Sequence, residues 1–149
     1  MSKKEQYFDE LLQSLHLFID KSFSYKSEKI TDSFPDDCFV FQDIIGEYVA
    51  VTAVSCSDEA ASRVSAKYSG IDLAECEGIY DEILSDFINL HNGRFIVNLS
   101  NNFNTECSLS PPVFKGEPAS SIDWRTVYIR SYDSDFGVIN FIIAETENE

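Results

Sequence analysis

With 149 residues, 44% of them hydrophobic and 13% aromatic, the chain has the length for one domain with a real core and is not of disordered composition. Its net charge of −15, from 26 acidic against 11 basic residues, argues against nucleic acid and anionic membrane as partners, since both need clustered Lys or Arg. Four scattered cysteines (Cys38, Cys56, Cys76, Cys107) without Cys-x-x-Cys spacing, and only two histidines, do not make a zinc pattern, so no metal site is expected.

The start carries no charged-then-apolar leader, and apolar runs such as Tyr48 to Val54 are too short to cross a bilayer. A reduced, cytoplasmic protein with inert thiols is the expectation. Ser2 with Glu5 forms a capping box. Phe8, Leu11, Leu12, Leu15, Phe18 and Ile19 then repeat at helical spacing to about Lys21. Alternation through Phe23, Tyr25 and Ile30 predicts a short strand, and the turn residues Asp32 to Asp37 follow it. Cys38 to Phe41 and Ile44 to Ser55 read as two antiparallel strands, the second long, β-branched and central.

Ser57-Asp58-Glu59 caps a second helix with a modest apolar face (Ala60, Ala61, Val64, Tyr68), which Ser69-Gly70 ends. A third, long helix follows within the stretch from Glu75 to Leu99. Beyond it, Ser100 to Asn104 is a polar break, and Glu106 to Phe114 is extended, with Pro111-Pro112 forcing an edge or a bend. Gly116 to Ser121 reads as loop, Trp124 to Ser131 and Phe136 to Ala144 as a closing hairpin, and Glu145 to Glu149 as an acidic tail. The order predicts a single α+β domain over residues 1–149: one antiparallel β-sheet with an N-terminal helix and two further helices packed on it.

The third helix carries the chemistry. At ~100° per residue, Tyr80, Ile83, Leu84, Phe87, Ile88 and Leu90 share a broad apolar face. Glu82, Asp86, Asn89 and Gly93 form a narrow stripe opposite, acidic, then amide, then bare backbone. The chain has no Gly-rich phosphate loop, no Gly-x-Ser-x-Gly elbow and no His-Glu-x-x-His, so an enzyme with its own nucleophile is poorly supported. His91 falls near the apolar face and reads as a packed residue, and His16 as a flank of the first helix. Asp86 and Asn89 can touch one spot on a docking partner. A carboxylate can pair with a lysine; a carboxamide both donates and accepts, and can hold a water in line with phosphorus. Gly93 would let a partner's backbone come close. By spacing alone, an Asp and an Asn three apart are commonplace on a solvated face, and Asn92-Gly93 also reads as a helix stop.

These elements in this order resemble the CheX branch of the CheC/CheX/FliY chemotaxis phosphatases, over nearly the full chain. The shared features are the amphipathic first helix, the long Gly46-containing strand Phe41 to Val51, the capped Ser57-to-Gly70 helix, the acid-x-x-Asn helix followed by Gly, the extended Leu109-Ser110-Pro111-Pro112-Val113 and the closing hairpin. The family signature is Glu-x-x-Asn with Gly four residues after the Asn, and the matching positions are Asp86, Asn89 and Gly93. Asp86 departs from it, one methylene and roughly 1.3–1.5 Å shorter in reach.

The resemblance implies hydrolysis of the aspartyl phosphate of a CheY-like response regulator, which itself supplies the phosphorylated Asp, the Mg²⁺ and a Lys. No cofactor of this chain's own is implied. Asp86 would pair with that Lys and Asn89 would orient water, as the catalytic residues; Glu82 and Gly93 would lie at the binding surface. The alternative is a docking or adaptor domain of the same fold that binds a regulator without hydrolysis. Relatives also form homodimers by joining sheets, and some carry a second motif on the first helix. Glu10 and Gln13 are a faint echo of that motif here, on a solvated face.

Overall fold

The computed structural model describes residues 2–114 and 122–146. The loop expected over Gly116 to Ser121 and the last three residues of the acidic tail lie outside them. Helix α1 (Lys3–Phe18) starts where the Ser2 hydroxyl accepts from the Glu5 backbone N–H at 3.1 Å. Strands β1 (Ser24–Thr31), β2 (Cys38–Gly46) and β3 (Ala50–Cys56) follow. Helix α2 (Asp58–Ser69) is capped by Ser57 and ends on the left-handed Gly70. The single-turn α3 (Leu73–Cys76) was not anticipated from the sequence. Then come α4 (Tyr80–Phe103), β4 (Cys107–Leu109), β5 (Val113–Phe114), β6 (Thr126–Asp133) and β7 (Ile139–Glu145).

All pairings are antiparallel, in the order β1-β6-β7-β3-β2-β4, with β5 also on β2. The expected α+β layering is present. One sheet face carries α1 and α4: Phe8, Leu11 and Leu15 of α1 and Leu84, Phe87, Ile88, Phe95 and Leu99 of α4 pack on Val40, Ile44, Val54, Phe141 and Ile143. The opposite face holds a smaller cluster of Phe41, Val51, Ala53, Val127, Ile142 and Ala144, with Phe34 and Trp124 edge to face beside it. Strand β3, buried at every position, is the central strand, as its β-branched composition predicts.

Two boundaries differ from expectation. The continuous strand expected across Gly46 is a hairpin: β2 runs on through Ile44 and Ile45 and stops at Gly46, and β3 begins only at Ala50. Gly46 has φ +127°, and a Cβ there would lie 2.6 Å from the Glu106 carbonyl oxygen, so the turn and the approach of the chain before β4 both depend on glycine. In the other case, Ser100 to Asn104, read as a polar break, continues α4 as far as Phe103; the alternative stop at Asn92-Gly93 does not occur either, and the helix ends on Asn104 in the left-handed conformation. The buried Phe95 and Leu99 extend the core contact of the helix and outweigh one unfavourable glycine.

Candidate functional site

The face of α4 turned away from the sheet is the predicted one. Ile83, Leu84, Phe87 and Ile88 are buried, whereas Glu82, Asp86 and Asn89 are exposed. Gly93 is half-buried and in line with them, one turn further on. A Cβ added at Gly93 would meet nothing within 4 Å. Nothing in the chain's own packing therefore calls for glycine there, although it weakens the helix.

Each half of the Asp86/Asn89 pair is held by a neighbour from another element. The Tyr68 hydroxyl, from the last turn of α2, donates to Asp86 Oδ2 at 2.8 Å. Burial, and then that carboxylate, push the Tyr68 phenol above its usual range, so it stays protonated and stays a donor. Gln42 Nε2, from β2, donates to Asn89 Oδ1 at 2.7 Å. Gln42 is 1% exposed and sits among Val40 and Ile44 on the helix-facing side of the strand. Its carboxamide also donates to the Ser110 carbonyl at 2.9 Å and accepts from Asn92 Nδ2 at 2.9 Å. Asn92 in turn accepts from the Tyr7 hydroxyl at 2.6 Å and donates to Thr52 Oγ1 at 2.9 Å. A buried polar chain thus runs from α1 through α4 and β2 to the exposed Asn89, inside an otherwise apolar layer where an unpaired amide is costly.

Sequence reasoning missed Gln42 and the hydroxyl role of Tyr68. Gln42 carried a signal, being the polar position in the inward alternation Val40, Gln42, Ile44. The helical period marks Tyr68 only as apolar surface, and its ring does pack edge to face on Phe87 at 5.5 Å.

Two shallow grooves flank the stripe and meet at the half-buried Leu90. One, of about 510 Å³, is lined by Phe18, Tyr68, Ser69, Ile83, Asp86 and Leu90. The other, of about 540 Å³, is lined by Asn89, Leu90, Gly93, Arg94, Val97 and Asn98. Val97 is exposed, so the surface around Gly93 is apolar and open.

The remaining candidates have structural work. His91 is fully buried, its Nδ1 2.8 Å from Ser14 Oγ and its ring edge to face with Tyr7. Burial, and then the Arg94 charge, push it down to about 3, so it is neutral. His16 Nε2 lies 2.6 Å from the Phe23 carbonyl and ties α1 to the start of β1. Glu10 Oε1 accepts from Asn98 Nδ2 at 2.6 Å, so it joins α1 to α4, while Gln13 is exposed. Burial first, then Asp37, raise the Cys38 and Cys56 thiols to about 12, which suits inert cysteines. Among the described residues no helix is long and apolar enough to cross a membrane.

No family model matches the chain, and no curated protein matches it by sequence. Solved structures do match it in fold. A chain of the CheX–CheY–BeF3–Mg²⁺ complex from Borrelia burgdorferi aligns at 17% identity over 98% of this chain and 99% of that one, with a TM-score of 0.75. A CheC-like superfamily protein from Shewanella sp. PV-4 gives 14%, 97%, 98% and 0.74 for the same four quantities. The chemotaxis protein CheX from Desulfovibrio desulfuricans gives 13%, 97%, 100% and 0.72. The resemblance read from element order is thus matched in three dimensions, and the chain has the fold of the CheX and CheC-like chemotaxis proteins.

Proposed function

We propose that this protein docks a phosphorylated CheY-like response regulator through the exposed face of α4 and promotes hydrolysis of its aspartyl phosphate. The observation that carries the reading is the Asp86/Asn89 pair, exposed together on a helix whose other face is locked into the core. Phosphoryl transfer from an acyl phosphate asks for positioning more than for a protein nucleophile. In this reading Asp86 pairs with the regulator's Lys and fixes the approach, while the Asn89 carboxamide orients the attacking water. Glu82, one turn before Asp86, adds negative charge to the docking face, and bare Gly93 admits the partner's backbone. In this reading the Mg²⁺ is the regulator's own. The work is done in a reduced cytoplasm.

A second reading, docking without hydrolysis, has its own observation. Asp86 is a methylene short of the family's acid, and one of its oxygens already accepts from Tyr68. An offset of that order can cost ~10²-fold where a reaction depends on position. Phosphate release from a regulator phosphorylated with acetyl phosphate, beside binding of the same regulator loaded with BeF3⁻ and Mg²⁺, separates the two. The phosphatase reading expects release that Asn89→Ala removes. Binding without release supports the adaptor, and a gain from Asp86→Glu marks a weakened site.

In the same proposal two copies of the chain pair through β1. Most of that eight-residue strand is exposed, Tyr25 and Ile30 among it, and its outer edge meets no strand among the described residues.

A further inference from the structure

We infer that Gln42 is a positioning residue that fixes the Asn89 carboxamide in one of its two orientations, oxygen inward and NH₂ outward; its value for hydrolysis rests on the function proposed above. The polarity of the network follows from its partners. A main-chain carbonyl can only accept, so the Gln42 atom 2.9 Å from the Ser110 oxygen is the nitrogen. Gln42 Oε1 therefore faces Asn92 and must meet a donor there, which places Asn92 Nδ2 toward it at 2.9 Å. Asn92 Oδ1 is then left for the Tyr7 hydroxyl at 2.6 Å. The second Gln42 N–H points at Asn89 and must meet an acceptor, so Asn89 Oδ1 turns inward at 2.7 Å. Thr52 Oγ1 accepts from Asn92 and donates to the Gln42 carbonyl at 2.8 Å, so the buried hydrogen bonds of the network fit together in one sense only.

Asn89 Nδ2 has no partner among the described residues and faces solvent with two donors. A free asparagine on a helix surface would sample both flips. Here the choice is made in the core and exported to the surface. The Ser110-Pro111-Pro112 bend gains a purpose by the same logic. Its carbonyl sets the sense of the whole network, and Ser110 is itself tied to β2, its Oγ accepting from the Asp43 N–H at 3.0 Å and its own N–H donating to the Asp43 carbonyl at 3.1 Å. The site thus offers an oxygen on the regulator side, the attacking water or a phosphoryl oxygen, a donor held in place before docking.

The test reads the Asn89 side chain directly, by ¹⁵N NMR of its NH₂ group in the whole protein, assigned by its loss in Asn89→Ser. In the wild type those protons should exchange quickly with water while those of Gln42 are protected. Gln42→Glu at alkaline pH replaces the donor by a carboxylate, which only the Asn89 nitrogen can satisfy. Asn89 should then flip, and its NH₂ exchange should slow by about tenfold. Gln42→Met keeps the bulk without polar atoms; in it the Asn89 NH₂ should stay fast in exchange but gain fast internal motion in ¹⁵N relaxation. Unchanged exchange in Gln42→Glu, or unchanged relaxation in Gln42→Met if the charged variant does not fold, overturns the inference. In turnover, Gln42→Met should lower kcat about tenfold or more with KM for the phosphorylated regulator unchanged. A flip in the spectrum with Asn89→Ala fully active would sink the phosphatase reading and keep the Gln42 assignment. Asn89→Ala inactive with Gln42 variants of normal kcat and unaltered spectra would do the reverse.

Discussion

Gly93→Ala separates what the fold needs from what a partner needs. The glycine lies in the interior of α4, where alanine is favoured by about 0.8–1 kcal/mol. Nothing opposes that gain, because a Cβ at Gly93 would have no neighbour within 4 Å and the residue is not in the left-handed region. For a chain of this size the variant should melt about 2–4 °C higher by calorimetry. If a partner's backbone packs on the bare stretch, the same methyl overpacks the contact, at about 1–3 kcal/mol. That corresponds to roughly five- to 150-fold weaker binding of the BeF3⁻-loaded regulator in a titration. Gly46→Ala is the control with the opposite sign. With φ +127° and the Glu106 oxygen 2.6 Å from the new Cβ, it should destabilise by more than ~1 kcal/mol. A Gly93→Ala protein that is more stable and binds as tightly as the wild type would refute the argument that the gap is kept for docking. One that is less stable would refute the packing argument itself.

Tyr68→Phe removes the donor to Asp86 and should cost about 0.5–1.5 kcal/mol at most, while releasing the carboxylate toward the partner. Regulator binding should strengthen, and weaker binding by calorimetry would show instead that Tyr68 aims Asp86 correctly. His91 gives a pH signature. Burial holds it down to about 3 from an ordinary 6.5, so the unfolded chain takes up its proton first as pH falls. Its contribution is complete above about 6.5 and is lost progressively below that, at up to ~1.4 kcal/mol per pH unit, down to about 3. Urea unfolding from neutral to acid pH should therefore show a steeper loss for the wild type than for His91→Phe, and parallel curves would contradict the assignment. Ile30→Asp on the open β1 strand should shift sedimentation from dimer toward monomer, while a dimer that persists would move the contact elsewhere.

Local capping chemistry was the most legible part of the sequence. Ser2, Ser57 and Gly70 each act where the short-range rules place them, because a cap is a contact between residues three or four apart. The outward stripe of α4 was legible for a similar reason, since one helical period orders a whole face. The misreadings came where a distant partner decides the local conformation. Gly46 breaks the apparent strand because the chain before β4 crosses over it, and that contact spans some sixty residues. Asn92-Gly93 has the composition of a helix stop, yet Asn92 is buried and paired across to α1, β2 and β3. Gln42 is the instructive case. Its place in the strand marks it as inward and polar, but its partners Asn89, Asn92 and Ser110 lie 47 to 68 residues further along the chain, so its role is visible only in three dimensions.

The most direct measurement of the central claim is the decay of the acyl phosphate on a CheY-like regulator from the same genome. It is followed by phosphate release with and without this protein and with its Asn89→Ala variant. The account predicts faster decay with the wild type and a loss of about 10²-fold or more of that acceleration in Asn89→Ala, with binding of the BeF3⁻-loaded regulator retained. Equal acceleration by wild type and Asn89→Ala, at equal binding, would contradict it.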